Sequence, residues 1–310
     1  MAMPASAPAP HSASAHPSAG LAYACGAYLI WGTLPLYMQL VRHVPPLEFV
    51  AWRVLFALPL CLLLVVGLRQ TGELRAALRN RPVLLALTGS ALLIAINWSV
   101  FVVAVLHGHV LATSLGYYIN PLVNVLLGTL FLRERLGARQ WTAVGLAMTG
   151  VALLAWNALP MLWISLSLAL SFASYGLVRK LVSVSALPGL TVETIVLMPL
   201  AAGYLAYAGR SAQGLSFGAD GYTTLLLAGA GVVTAVPLLL FAAAARRLEF
   251  STLGFIQYLS PTITFLLGLF VFHEPLRPVQ LGSFALIWLA IAVFTWDLLA
   301  RRSHAARAAA

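Results

Sequence analysis

Two ionisable residues stand where charge is costly. Arg53 lies in Val50-Ala-Trp-Arg-Val-Leu-Phe56, and Glu193 in Leu190-Thr-Val-Glu-Thr-Ile-Val196. A charge inside such an apolar segment faces a cavity or a partner, which makes both residues candidates for coupling or gating. They are 140 positions apart. The same spacing relates Asn120-Pro121 to Ser260-Pro261. A proline inside a helix removes one backbone hydrogen bond and frees the carbonyl four residues earlier, here those of Tyr117 and Gln257. Tyr117, Tyr118, Asn120 and Asn124 cluster around the first proline, and Gln257, Tyr258, Ser260 and Thr264 around the second. Asn97-Trp98 and Tyr175 add further polar and aromatic groups inside apolar runs. Aromatic walls with a few fixed polar groups suit the binding of a small organic molecule. Interhelical hydrogen bonds use the same residue types, so each side chain taken singly also fits a packing role.

Bond-making chemistry finds no support. The chain has no GxxxxGK[ST] run, no G-x-S-x-G and no H-E-x-x-H, so no catalytic residue is assigned. His107 and His109 flank Gly108 with no acid or cysteine beside them, and they read as solvated loop residues rather than a metal site. Cys25 and Cys61 fall in apolar stretches and read as small buried side chains. No metal and no cofactor is expected.

The elements that position these residues follow from composition. Of 310 residues, 61% are apolar and 8% charged, too apolar for any soluble globule. Ten apolar runs appear, at roughly 21–40, 47–68, 83–105, 110–132, 139–157, 161–179, 190–209, 222–245, 251–272 and 278–299. Each can cross roughly 30 Å of hydrocarbon as a helix. Lipid offers the backbone no hydrogen-bond partner, so continuous runs of this length must be helical. The expected fold is therefore an all-α polytopic membrane protein with ten transmembrane helices. Residues 1–20, rich in Ala, Pro, Ser and His, and residues 300–310 are expected to be tails.

The net charge of +10 is a matter of topology rather than of nucleic-acid binding. With the N-terminus cytoplasmic, the inner loops and tail hold Arg69, Arg75, Arg79, Arg81, Arg133, Arg135, Arg139, Arg179, Lys180, Arg246, Arg247, Arg301, Arg302 and Arg307. The outer loops hold Arg42, Arg210 and Arg277. This asymmetry places both termini in the cytoplasm. It also puts Arg53 near the outer surface and Glu193 near the inner one, on the order of 16 Å apart, too far for an ion pair. Glu193 is the candidate for proton coupling. Glu134 and Glu274, each ending a run, are expected to be interfacial structural charges.

Residues 121–157 and 261–297 share ten identities in 37 positions, among them Pro121/Pro261, Gly128/Gly268, Glu134/Glu274, Gln140/Gln280 and Trp156/Trp296. Leu and Ala matches are cheap in such a composition; the Pro, Gly, Glu, Gln and Trp matches are not. The chain thus reads as two five-helix units, 21–157 and 161–299. Five is odd, so the second unit enters the membrane from the opposite side. Such an inverted repeat is the plan of transporters that expose one site to each side in turn.

The strings Asn97-Trp98, Ser114-Leu-Gly-Tyr-Tyr-Ile-Asn-Pro121, Tyr175-Gly-Leu-Val-Arg-Lys180 and Thr252-Leu-Gly-Phe-Ile-Gln-Tyr-Leu-Ser-Pro261 closely resemble the RarD group. That group belongs to the EamA branch of the drug/metabolite transporter superfamily, and the resemblance runs from about residue 21 to 300. It implies a bacterial inner-membrane permease with two EamA-type repeats, in which helices 1–4 and 6–9 surround a cavity and helices 5 and 10 lie outside. It implies secondary active transport of a small organic solute, drug or metabolite, with efflux ahead of uptake. Uptake of a metabolite or amino acid remains open, as does a membrane enzyme or sensor without transport. The implied partners are the solute, the lipid bilayer and protons as coupling ion. Oligomeric state is not legible.

Overall fold

Every apolar run is helical in the computed structural model, which describes residues 17–106, 109–211, 214–273 and 278–308. The helices are α1 (Pro17–Leu40), α2 (Pro46–Gly67), α3 (Thr71–Arg79), α4 (Arg81–Leu106), α5 (Val110–Phe131), α6 (Ala138–Ala155), α7 (Leu162–Leu181), α8 (Ala186–Ala208), α9 (Gly221–Ala245), α10 (Phe250–Gln257), α11 (Leu259–Phe270) and α12 (Pro278–Ala308). A short 3₁₀ turn, Trp156–Met161, joins α6 to α7. Among the described residues, eight helical segments are long and apolar enough to cross a membrane: α1, α2, α4, α7, α8, α9, α10 with α11, and α12. Leu63, Leu85, Leu225, Phe270 and Trp296 point outward, the apolar exterior that lipid requires and water would not tolerate.

Three local expectations are corrected. The segment after α2, expected as a loop, folds as α3, whose Leu74 and Ala77 pack against Leu87 of α4 and Val192 of α8. The C-terminal stretch expected as a tail continues α12 to Ala308, in a sequence of strong helix formers. The ninth run is interrupted at Tyr258, between α10 and α11, whereas α5 continues through Pro121. The interruption makes Pro261 the third residue of α11. Its missing N–H then falls in a first turn, where no intrahelical partner exists anyway.

Packing follows a regular pattern. α2 lies along α8 and α9, α4 along α7 and α8, α1 along α9 and α11, α5 along α7 and α10, and α12 along α6. Glycine permits the tightest crossing, where a Cβ on Gly231 of α9 would lie 2.5 Å from the Phe56 carbonyl carbon of α2. Polar links tie both ends of the bundle. At the end where α8 and α10 begin, Glu134 accepts from the Phe250 and Ser251 amides and the Ser251 hydroxyl. Glu73 accepts from the Ser185 amide and hydroxyl, and the Lys180 ammonium donates to the Ala245 and Leu248 carbonyls. At the opposite end Glu48 accepts from the Ser216 amide and hydroxyl. There Asp220 caps α9 by accepting from the Thr223 N–H at 2.8 Å, which holds its carboxyl below the ordinary value.

Candidate functional site

A cavity of about 20 Å³ lies at the centre of the bundle, between α2, α4, α7, α8 and α9. Its walls include Val54, Ala57, Ile94, Trp98, Tyr175, Glu193, Thr194, Leu197, Thr234 and Leu238. The volume is that of a single water site rather than of an organic solute. The walls pair by position: Val54 with Thr194, Ala57 with Leu197, Ile94 with Thr234, and Trp98 with Leu238, each pair 140 residues apart. These helices are apolar all round rather than on one face, and it is the packing of α2 against α8 and α9, and of α4 against α8, that turns these residues inward.

Glu193 of α8 reaches the cavity from one side. It is 2% exposed and accepts from the Ser90 hydroxyl of α4 and, at 3.4 Å, from the Tyr175 hydroxyl of α7. Its cationic partner is Arg179 of α7, with Nη1 3.6 Å from Oε1. Arg179 is 0% exposed, and its Nη2 donates to the Ala186 carbonyl at 2.9 Å. Its Nε and Nη1 make no hydrogen bond among the described residues. The guanidinium occupies the space over Gly189, where a Cβ would lie 1.9 Å from Nη1. Arg179, expected as a loop residue that sets topology, is thus an interior cation. It stands four residues after Tyr175, on the same helix face, and that spacing was the available signal.

Arg53 of α2 stands at the other side, beside the cavity residues Trp98 and Thr234. Its Nε donates to the Thr234 hydroxyl at 2.8 Å. Its guanidinium lies over the Trp98 ring at 4.9 Å and the Phe49 ring at 5.6 Å. Tyr37 and Tyr117 are the phenols close enough to interact with its charge. Tyr117 is 39% exposed and packs on Phe101 of α4. Glu193 pairs with Arg179, and no ion pair joins it to Arg53 among the described residues.

The remaining candidates cluster between helices rather than on the cavity walls. Asn97 donates to the Leu168 carbonyl at 2.9 Å and the Ser171 hydroxyl at 3.0 Å, tying α4 to α7. Asn120 donates to the Ala169 carbonyl, and Asn124 to the Gln257 side chain at 2.8 Å. Tyr118 donates to the Pro261 carbonyl and Tyr258 to the Tyr118 carbonyl. Among the described residues, the proline-region carbonyls that accept side chains are therefore those of Tyr118 and Pro261, not those of Tyr117 and Gln257. Pro121 and Ser260 sit at close helix crossings: the Pro121 carbonyl faces Gly254, and the Ser260 carbonyl faces Gly32. His109 is partly exposed and precedes α5, while His107, Glu274 and Arg277 lie outside the described residues. Thr234, Ser90 and Thr194 were not anticipated. Applying the 140-residue offset to Ile94 would have pointed to Thr234.

The sequence model of the EamA-like transporter family matches residues 18–156. An uncharacterised transporter of Pseudomonas aeruginosa is 45% identical over 281 residues, covering 87% of this chain and 91% of the relative. Protein RarD of Streptomyces exfoliatus is 43% identical over 290 residues, covering 92% and 91%. A solved crystal structure superposes with a TM-score of 0.72 at 20% identity, covering 92% of this chain and 98% of the other, a likeness of fold.

Proposed function

The chain belongs to the EamA-like transporter family, a membrane transporter by kinship, and from that premise we propose that it is a secondary permease working by alternating access. It moves a small organic solute, drug or metabolite across the bacterial inner membrane, with efflux the working direction. One observation carries this reading: the central cavity is walled by four residue pairs 140 positions apart, each with one member from each half. A site on the axis between two inverted halves can open to either side at equal structural cost. The packing supports the same symmetry. The α5–α7 contact matches that of α11 with α1, the α2–α9 contact matches that of α8 with α4, and the α2–α8 and α6–α12 contacts map onto themselves. Arg133 and His273, also 140 apart, both adopt positive φ, at 55° and 53°.

In this reading α5 and α6 complete ten spans, and residues 21–157 and 161–299 are the two inverted repeats. The charge asymmetry places both termini in the cytoplasm. The 20 Å³ cavity then belongs to a closed state, and solute binding requires α2, α4, α8 and α9 to separate. Trp98 and Tyr175 line the path. Asn97 ties the mobile α4 to α7, and Tyr118, Asn120, Asn124, Gln257 and Tyr258 join α5 to α7, α10 and α11 beside the helices that move. Glu193 is the group through which protons couple.

The test is flux in proteoliposomes reconstituted with the purified chain, read by mass spectrometry over a broad panel of labelled and unlabelled metabolites. Protein-dependent counterflow of at least one solute, accelerated by an imposed pH gradient, is the expected result. No flux for any member of the panel, in vesicles where circular dichroism reports a folded chain, overturns the permease reading.

A further inference from the structure

We propose that Arg53 is the binding site for the carboxylate of an organic anion whose apolar body rests on Trp98 and Tyr117. This rests on the permease reading and names its substrate class.

The first argument is charge balance. Arg179 and Glu193 neutralise one another in the bundle interior. Lys180 is held by two carbonyls at the end of α7. Arg53, by contrast, has no carboxylate within ion-pair distance among the described residues. A cation inside a span without a countercharge is costly, and an anion that visits it removes that cost.

The second is direction. An arginine near a helix end can snorkel to the headgroups. Arg53 does the opposite. Its Nε is bound to Thr234, the fourteenth residue of α9, about 20 Å along that helix from its start. The guanidinium is therefore pulled toward the centre of the bundle, beside the central cavity, and not toward the surface.

The third is shape. With Nε engaged, the edge bearing Nη1 and Nη2 is left to a ligand, and neither nitrogen donates to a group among the described residues. That edge is the fork that pairs with a carboxylate through two parallel hydrogen bonds. The Trp98 and Phe49 rings hold the guanidinium plane, so the fork is oriented before the ligand arrives. Tyr117 is open at 39% exposure and offers an aromatic wall beside the cation. A neutral amide of the same shape would leave the cation unpaired, so the site discriminates against it.

The experiment uses the full chain, with three acid/amide pairs as probes: phenylacetate and phenylacetamide, indole-3-acetate and its amide, and hexanoate and its amide. Inorganic phosphate serves as an oxyanion without an apolar body. Binding is measured calorimetrically in detergent, and flux in proteoliposomes. At least one acid is expected to bind about tenfold more tightly than its amide and than phosphate, and Arg53→Gln should erase that preference. Arg53→Lys keeps the charge without the fork and is expected to retain part of it, which decides the matter should Arg53→Gln fail to fold. Equal affinity for acid and amide in all three pairs overturns the proposal, as does an acid preference that survives Arg53→Gln. The two readings fail separately. Flux of neutral solutes alone sinks the anion site and leaves the permease. Arg53-dependent acid binding without flux of any solute leaves the site and sinks the permease.

Discussion

Glu193 shares its surroundings with Arg179, Ser90 and Tyr175, and Arg179 is its one ion-pair partner among the described residues. Both partners are buried, so removing one leaves the other charged and unpaired in a low-dielectric interior, at a cost of about 3–5 kcal/mol. Arg246, just past α9, also faces Arg179 and would add repulsion once the carboxylate is gone. Glu193→Gln is therefore expected to lower the stability of the detergent-purified chain by about that much. The double variant Glu193→Gln with Arg179→Met should recover most of the loss, because no charge then remains buried. Denaturant unfolding of the four members of this cycle checks it, and additive losses would show that the two residues do not interact. At this scale Arg53 and Glu193 were legible because each breaks an apolar run. Arg179 was not, because Arg179-Lys180 at the end of a run has the form of a loop determinant, and only the packing of α8 over it shows that it is interior.

Helices are where the sequence was easiest to read, since uninterrupted apolar runs in lipid leave the backbone no alternative. The details that escaped have local causes. α3 is short and only one face of it is buried, so it leaves no apolar run to find. The interruption at Tyr258 distinguishes the ninth run from the fourth although both carry the same proline, and the surroundings of each proline decide which helix breaks. Crossing distances were not legible either, because a glycine in a span gives no sign of what it faces. Gly231 faces the backbone of Phe56 and Ala57, while a methyl group on Gly26 would meet only the flexible Leu240 side chain, at 3.3 Å. Gly231→Ala must push α2 and α9 apart and is expected to cost about 1–3 kcal/mol, as overpacking does. Gly26→Ala should be near neutral, since Leu240 can shift by a few tenths of an ångström. Melting temperatures of the two variants, measured side by side, test the contrast, and equal effects would mean that the α2–α9 crossing is not tight.

The proposed alternating access would make one demand on the whole molecule: the two ends of the bundle open at different times. The end where Glu134 caps α10, Glu73 meets Ser185 and Lys180 clasps the carbonyls at the end of α9 is joined by side chains of α3, α7 and α10 together with Glu134 after α5 and Ser185 before α8. The Glu73 and Glu134 contacts link the two halves, whereas that of Lys180 lies within the second, and in the permease reading the linking contacts must part whenever that end admits solute. Of the charged residues that make contacts at this end, Lys180 was visible in the sequence as a loop charge and Glu134 as an interfacial one. Their partners were not, because each contact joins positions far apart in the chain and spacing carries no trace of it. A reversible lock therefore tests the mechanism. In a background with Cys25→Ser and Cys61→Ala, the pair Glu134→Cys and Ser251→Cys replaces a carboxylate and a hydroxyl that now meet at 2.7 Å, and a short bis-methanethiosulfonate reagent, which oxidises both thiols into a reducible bridge, spans the length by which cysteine is shorter than glutamate. Oxidation is expected to abolish net flux while binding from the opposite end persists, and reduction should restore flux. The reduced form controls for loss of the cap on α10. If flux continues at the reduced rate after quantitative cross-linking, this end does not open during transport, and the rocking of two inverted halves is not how the molecule works.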